Sequence, residues 1–166
     1  MAKVDLTAQR LREILFYDPE TGLLTWIASP ARRVTAGDEA GCLTEQGYRK
    51  VSLSGGRFYT HRLAWLYTTG EWPTGEIDHI NGKRSDNRIE NLRDVSRSRN
   101  NQNRRHAAKN SLSGLLGVEW HSKSGLWQAR IKTDTGRVAL GYYKTAEEAH
   151  QVYLIAKRRL HEGCTI

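Results

Sequence analysis

An aspartate and a histidine stand side by side at Asp78 and His79, within the stretch EIDHINGKRSDNRIENLRDVSRSRNNQN over 76–103. Asn91 follows twelve positions after His79, and Asn100 nine after that. These residue types suit hydrolysis of a phosphodiester. A water must lose a proton as it attacks phosphorus, the added charge on the phosphate must be neutralised, and the leaving 3′ oxygen must be stabilised. A histidine, with an unperturbed pKa of about 6.5, is a competent base near neutral pH. A hard divalent cation serves the other two needs and takes oxygen ligands, which the Asp78 carboxylate offers. Neighbours on a strand point to opposite sides, so Asp78 can face a metal while His79 faces the water. Asp78 and Asp86 are the only aspartates near His79 in the sequence, which favours one metal ion over two. Asp86 reads as a turn residue ahead of a ligand. The amides of Asn81 and Asn87 are expected to bond backbone only.

The elements that must carry these residues follow from periodicity and turn chemistry. Thr7 to Tyr17 reads as a helix capped by Thr7, with Leu11, Ile14 and Leu15 as its apolar stripe. A turn over 18–22 leads to a strand over 23–27, and a polar loop spans 30–41. Residues 48–53 and 57–61 flank Ser54-Gly55-Gly56 as a hairpin. The run HRLAWLY, 61–67, is helical and closes at Gly70 and Pro73. Glu76 to Ile80 is a strand that enters the turn Asn81-Gly82-Lys83, and 86–92 is turn-like. Ser96 caps a helix reaching about Ala108. The small-residue stretch NSLSG, 110–114, marks a linker. Strands follow over 117–121, 127–132 and 137–142, and then a helix capped by Thr145 with Glu147 and Glu148 in its first turn. Its apolar face is Ala149, Val152, Tyr153 and Ala156.

The segment resembles the HNH nuclease family, in particular its homing-endonuclease branch. The likeness rests on Asp78-His79, Asn91 and Asn100 at these spacings, set within Asp-His-Ile-Asn-Gly and Glu-Asn-Leu-Arg. AGCLTEQGYRKVSL and HRLAWLYTTGEWP match the same branch, so the likeness covers roughly 10–105. It implies a metal-dependent DNA endonuclease built as two strands and a helix around one ion. His79 is then the general base, Asn91 holds the connecting loop and orients His79, and Asp78 and Asn100 bind the metal. Asparagine where many members carry histidine points to Mg²⁺ or Mn²⁺ over Zn²⁺. Asn101 is the rival ligand if the helix register shifts by one. His61 reads as a packed histidine next to the site, and Arg62 as a phosphate contact.

Composition agrees with a polyanion partner. The chain has 166 residues, 26 Lys and Arg against 18 Asp and Glu, and a net charge of +8. Such a chain is drawn to nucleic acid. The excess gathers between Arg93 and Lys109, where six basic residues face one acidic residue, and Arg93, Arg97 and Arg104 are the candidate DNA contacts there. Cys42 and Cys164 form no C-x-x-C pair, which excludes a cysteine zinc knuckle and points to two ordinary thiols. No stretch has the length of a membrane span, and the first residues lack the apolar core of a signal peptide, so a cytoplasmic location in a bacterial or phage-infected cell is expected. No protein partner is implied.

Residues 114–161 resemble the APETALA2-type DNA-binding domain. The matching residues include Gly117-Val118, Gly125-Leu126-Trp127, Ala129-Arg130-Ile131-Lys132, Leu140-Gly141-Tyr142-Tyr143 and Thr145-Ala146-Glu147-Glu148-Ala149. Alternation puts Gln128, Arg130 and Lys132 on one face and Trp127, Ala129 and Ile131 on the other. The resemblance implies that His121, Arg130, Lys132 and Arg137 contact double-stranded DNA. Leu116, Glu119 and Ala139 depart from the plant pattern, so its target sequence does not transfer. Trp120 is expected to pack inside. The whole reads as an α+β chain: a ββα-metal HNH nuclease domain over 1–110, then a small three-stranded sheet packed on one helix over 111–166. The first cuts and the second supplies affinity and sequence choice. Deleting 111–166 is thus expected to weaken site preference more than basal nicking. The alternatives are a DNA-binding regulator with an inactive nuclease, and an RNA-binding protein that uses the basic helix. The target site, the number of strands cut and the oligomeric state stay open.

Overall fold

A computed structural model describes residues 6–165. The described residues divide into two compact units, one up to Val95 and one from Ser96. The sequence-drawn boundary at 110/111 falls inside the second unit.

The first unit opens with α1 (Ala8–Ile14), capped as expected by Thr7, whose hydroxyl accepts from the Arg10 N–H at 3.2 Å. The helix stops three residues short of the expected Tyr17. Leu15–Tyr17 is instead β1, antiparallel to β2 (Leu24–Trp26). Alternation explains the change: Leu15 and Tyr17 are buried and Phe16 is exposed, a period of two that a strand satisfies and a helix does not. The three-stranded sheet that follows has the order β3 (Cys42–Leu43), β4 (Arg49–Leu53), β5 (Gly56–Tyr59). It feeds directly into α2 (Thr60–Thr69), which ends at Gly70 in the left-handed conformation, φ 86°, with its N–H on the Leu66 carbonyl. Leu63, Ala64 and Leu66 of α2 pack with Leu11, Leu15, Leu24, Val51 and Leu53 in one core. β6 (Glu76–His79) and β7 (Leu92–Val95) form an antiparallel pair with Asp78 opposite Arg93 and His79 opposite Leu92. A single 3-10 turn, Ile89–Asn91, precedes β7.

The second unit begins with α3 (Arg97–Gln102), capped by the Ser96 hydroxyl on the Arg99 N–H. It is far shorter than the helix expected to Ala108. The sequence RSRNNQ has no apolar residue to bury, so little drives the helix onward. Beyond it the chain takes other bonds: Thr165 donates to Asn103 Oδ1 at 2.5 Å, and the Lys157 ammonium donates to the Arg104 carbonyl. β8 (Val118–His121), β9 (Leu126–Thr133) and β10 (Gly136–Tyr143) form an antiparallel sheet with β9 central. α4 (Ala146–Leu160) has a full capping box from Thr145 and Glu148. It buries Ala149, Tyr153 and Ala156 against Val118, Ala129 and Ile131, with Val152 half-buried. Gly117 lies so close to α4 that a Cβ there would sit 2.0 Å from the Tyr153 ring, and its φ is +78°. The expected alternation of β9 holds: Ala129 and Ile131 are buried, whereas Lys132 is exposed. Trp120 differs from expectation. It is 44% exposed, and its ring meets Trp127 edge-on at 5.0 Å. It lies outside the buried cluster of Val118, Ala129, Ala146 and Ala149.

Candidate active site

The Asp-His pair occupies the last two positions of β6, and both side chains are buried, at 5% and 4% exposure. Strand alternation sends them different ways. Asp78 meets the residue across the ladder: Arg93 holds Oδ2 through Nε at 2.9 Å and Nη2 at 2.7 Å. Arg93, read from sequence as a DNA contact, is thus engaged with the carboxylate beside the histidine.

His79 points to the other side. Its Nε2 lies 3.1 Å from Asn87 Oδ1, Asn87 Nδ2 donates to Thr60 Oγ1 at 3.0 Å, and Thr60 Oγ1 donates to the Arg49 carbonyl at 3.3 Å. Burial lowers the His79 pKa, opposed by the bond to Asn87 and the charge of Asp78, so the ring is neutral at neutral pH. Its ring also meets Tyr48 at 5.9 Å and the edge of His61 at 5.2 Å. His61 is itself buried, stacks on Tyr59 at 5.2 Å, and has an Nδ1 with no hydrogen-bond partner. Burial first, then the nearby His79 and Arg62, push its pKa down to about 3. It is a packed neutral histidine.

Asparagines build the loop between the strands. Asn91 Oδ1 accepts from the Asn81 N–H at 2.9 Å, and Asn91 Nδ2 donates to the Asp86 carbonyl at 2.8 Å. One amide thus ties both ends of the loop. Asn81 Oδ1 accepts from the Lys83 N–H, the local turn expected of it, and its Nδ2 donates to Asp86 Oδ2 at 2.7 Å. Asp86 is gripped by Arg88 through both oxygens at 2.9 Å, which holds its pKa down to about 2. Its oxygens are committed to the loop.

Asn87 corrects the sequence reading. Its side chain bonds His79 and Thr60 rather than backbone, so a second asparagine, distinct from the loop-holding Asn91, contacts the candidate base. No local signal marks this. Thr60 and Asn87 are far apart in sequence, and only the packing of α2 on the loop brings them together. The first hairpin helps: Tyr17 OH donates to the Asn87 carbonyl at 2.9 Å, and a Cβ on Gly22 would sit 2.6 Å from the Asn87 carbonyl carbon. Burial raises the Tyr17 pKa to about 12, so it stays a donor throughout the working range.

The remaining candidates divide. Arg62 is half-buried and directs its guanidinium at the carbonyls of Gly75 and Pro73, at 3.2 and 3.4 Å. Asn100 is half-buried on α3, whereas Asn101 is exposed. Arg97 and Arg104 are exposed. On the second unit, the sheet face away from α4 carries His121, Arg130, Lys132 and Arg137, with Lys132 directly opposite Arg137. Glu119 on the same face pairs with Arg130 at 2.6 Å. Tyr142 OH accepts from Gln128 at 3.0 Å, and its ring meets His121 edge-on at 5.0 Å. Cys42 and Cys164 are free thiols. Among the described residues no three His, Cys, Asp or Glu side chains gather to hold a metal ion, and no helix is long and apolar enough to cross a membrane.

Neither the curated proteins nor the solved structures contain a match to this chain. A family model does match: residues 58–102, from β5 through α3, are similar to the HNH endonuclease family, and this supports a nuclease acting on DNA.

Proposed function

We propose that the chain is a site-recognising DNA endonuclease of the homing type that uses His79 as general base and one divalent ion, Mg²⁺ or Mn²⁺. The observation that carries this reading is a buried, neutral histidine tied to Asn87 and adjacent to a carboxylate, inside the segment that matches an HNH endonuclease.

The donors fit such an ion. Asp78 contributes a carboxylate, and by motif spacing Asn100 contributes an amide oxygen. A hard cation bound by one carboxylate normally completes its shell with water and substrate phosphate, so a cluster of acids is not required. When bound, the ion neutralises charge on the phosphate and at the leaving 3′ oxygen. The protein residues do the rest. His79 takes the proton of the attacking water, Asn91 keeps the 80–91 loop closed around the strand end, and Arg93 holds the Asp78 carboxylate in place. The products are a 5′ phosphate and a 3′ hydroxyl. Residues 111–166 act as an APETALA2-like module, whose outer sheet face takes duplex DNA through His121, Arg130, Lys132 and Arg137. This division is physically sensible, because phosphate-gripping groups carry little sequence information and base edges must be read elsewhere.

The test is relaxation of a supercoiled plasmid carrying host-genome fragments, with Mg²⁺, for wild type and His79→Ala. Wild type should nick, and the variant should be slower by roughly 10²-fold or more. Plasmid left intact by wild type under metal and site screening would falsify the enzyme reading and leave a DNA-binding regulator.

A further inference from the structure

We propose that Thr60 and Asn87 are positioning residues that set the tautomer of His79, placing its proton on Nε2 and its lone pair on Nδ1. The inference rests on the nuclease reading for its catalytic meaning, but the device itself is read from hydrogen bonds.

The direction of the relay follows from what each group can do. The Arg49 carbonyl only accepts, so the Thr60 hydroxyl spends its proton there. Thr60 Oγ1 therefore presents a lone pair to Asn87 and receives the Nδ2 donor. That choice turns Asn87 Oδ1 toward His79. An amide oxygen only accepts, so the imidazole nitrogen facing it, Nε2, carries the hydrogen. Thr60, Asn87 and His79 are all buried, at 2%, 4% and 4% exposure, so water does not compete for these bonds. Reversing the amide would set its oxygen against a hydroxyl whose proton is already on the Arg49 carbonyl, in a buried site where an unmet polar group costs about 1–3 kcal/mol. The backbone of Asn87 is also clamped, by Tyr17 and by the close approach of Gly22.

The reaction needs one nitrogen free of a proton. With Nε2 protonated, Nδ1 is the nitrogen that takes the proton from water. The water O–H bond breaks, its oxygen bonds phosphorus, the P–O3′ bond breaks, and His79 becomes an imidazolium with a proton on each nitrogen. The Nε2–H bond to Asn87 strengthens as the ring charges. Because Asn87 is neutral, it supports that charge without drawing the proton away.

The experiment reads the ring nitrogens of His79 in the full-length ¹⁵N-labelled protein, without metal or DNA, by long-range ¹H–¹⁵N correlation. His79→Gln assigns the signals. Wild type should show the Nε2–H pattern. Thr60→Val, which keeps shape and loses the hydroxyl, should give a mixture of tautomers and a kcat for nicking lower by roughly tenfold, with KM for DNA unchanged. Thr60→Ser should restore both. A wild-type Nδ1–H pattern overturns the proposal, and so does a Thr60→Val protein with wild-type spectrum and kcat. The spectrum requires no cleavage, so a wild type that shows the Nε2–H pattern yet leaves plasmid intact refutes the nuclease reading and not the relay.

Discussion

His61 shows how one side chain acquires a property that its type alone does not carry. Its ring is wedged between Tyr59, Tyr48 and His79, and burial holds its pKa near 3 against an ordinary 6.5. Unfolded, the ring takes a proton below about 6.5; folded, it refuses one until about 3. The unfolded state thus binds more protons across that window, and stability falls as pH drops from 6.5 toward 3. The slope from one such group approaches about 1.4 kcal/mol per pH unit. His61→Phe keeps the ring packing and removes the titration. Urea midpoints measured between pH 4 and 7 should vary less steeply in this variant than in wild type, while nicking at neutral pH is retained. Parallel pH profiles would show that His61 charges in the folded protein. His79 is lowered in the same direction, so the variant retains part of the wild-type slope.

At the level of elements, α3 is the piece whose attachments matter most. It follows β6 and β7 in the chain, and three of its residues bond groups elsewhere in the second unit. Ser98 donates to Asp134 at 3.0 Å, Gln102 Oε1 accepts from the Gly163 N–H at 3.1 Å, and Arg99 pairs with Glu162 at 3.5 Å. Just past the helix, Lys157 of α4 donates to the Arg104 carbonyl, and it is 1% exposed. Burial lowers its pKa, and the carbonyl gives the ammonium its polar partner. This revises the expectation for a chain cut at residue 111. That truncation removes Asp134, Lys157, Glu162 and Gly163 together, so α3 loses its supports. Basal nicking by residues 1–110 should fall at least as far as site preference does, as read by nicking of plasmids with and without the target site. Within the whole chain, Lys157→Ala should lower stability by about 1–3 kcal/mol in thermal unfolding, from the unmet Arg104 carbonyl and the vacated space. No change would mean that the bond is dispensable.

For the molecule as a whole, a net charge of +8 draws the chain to any polyanion, and specificity must come from a smaller set of groups. On the proposed reading, the outer sheet face of the second unit would offer that set. Lys132 and Arg137 are exposed and adjacent across the ladder, whereas Arg130 is partly neutralised by Glu119. If Lys132 and Arg137 bind phosphates, replacing both with Ala should make the plot of log affinity against log salt shallower by roughly 0.9 for each phosphate no longer neutralised. Replacing Gln128, bonded to Tyr142, should leave that slope unchanged and alter site preference instead. Filter binding to duplex DNA across a salt series separates the two outcomes. An unchanged slope in the double variant would remove this face from the DNA interface.

Residue types and their spacing alone carry the expected chemistry and most of the elements. Asp78 and His79 stand out because few residue types suit the expected chemistry, and Asn91 and Asn100 through the family resemblance that their spacing carries. Thr7, Ser96 and Thr145 cap helices because a short polar side chain beside the first turn meets backbone donors that have no other partner. Gly70 ends α2 for an equally local reason. Packing settles what local rules leave undetermined. Leu15–Tyr17 is a strand because a partner, Leu24–Trp26, is available. α3 stays short because no apolar face drives it further, and its flanking groups are taken by residues near the C-terminus. The partner of His79 is a matter of packing as well. Asn87 and Asn91 are alike in type and close in sequence, and each bonds whatever the fold places within about 3 Å of its amide. For Asn91 that is the loop backbone; for Asn87 it is the imidazole.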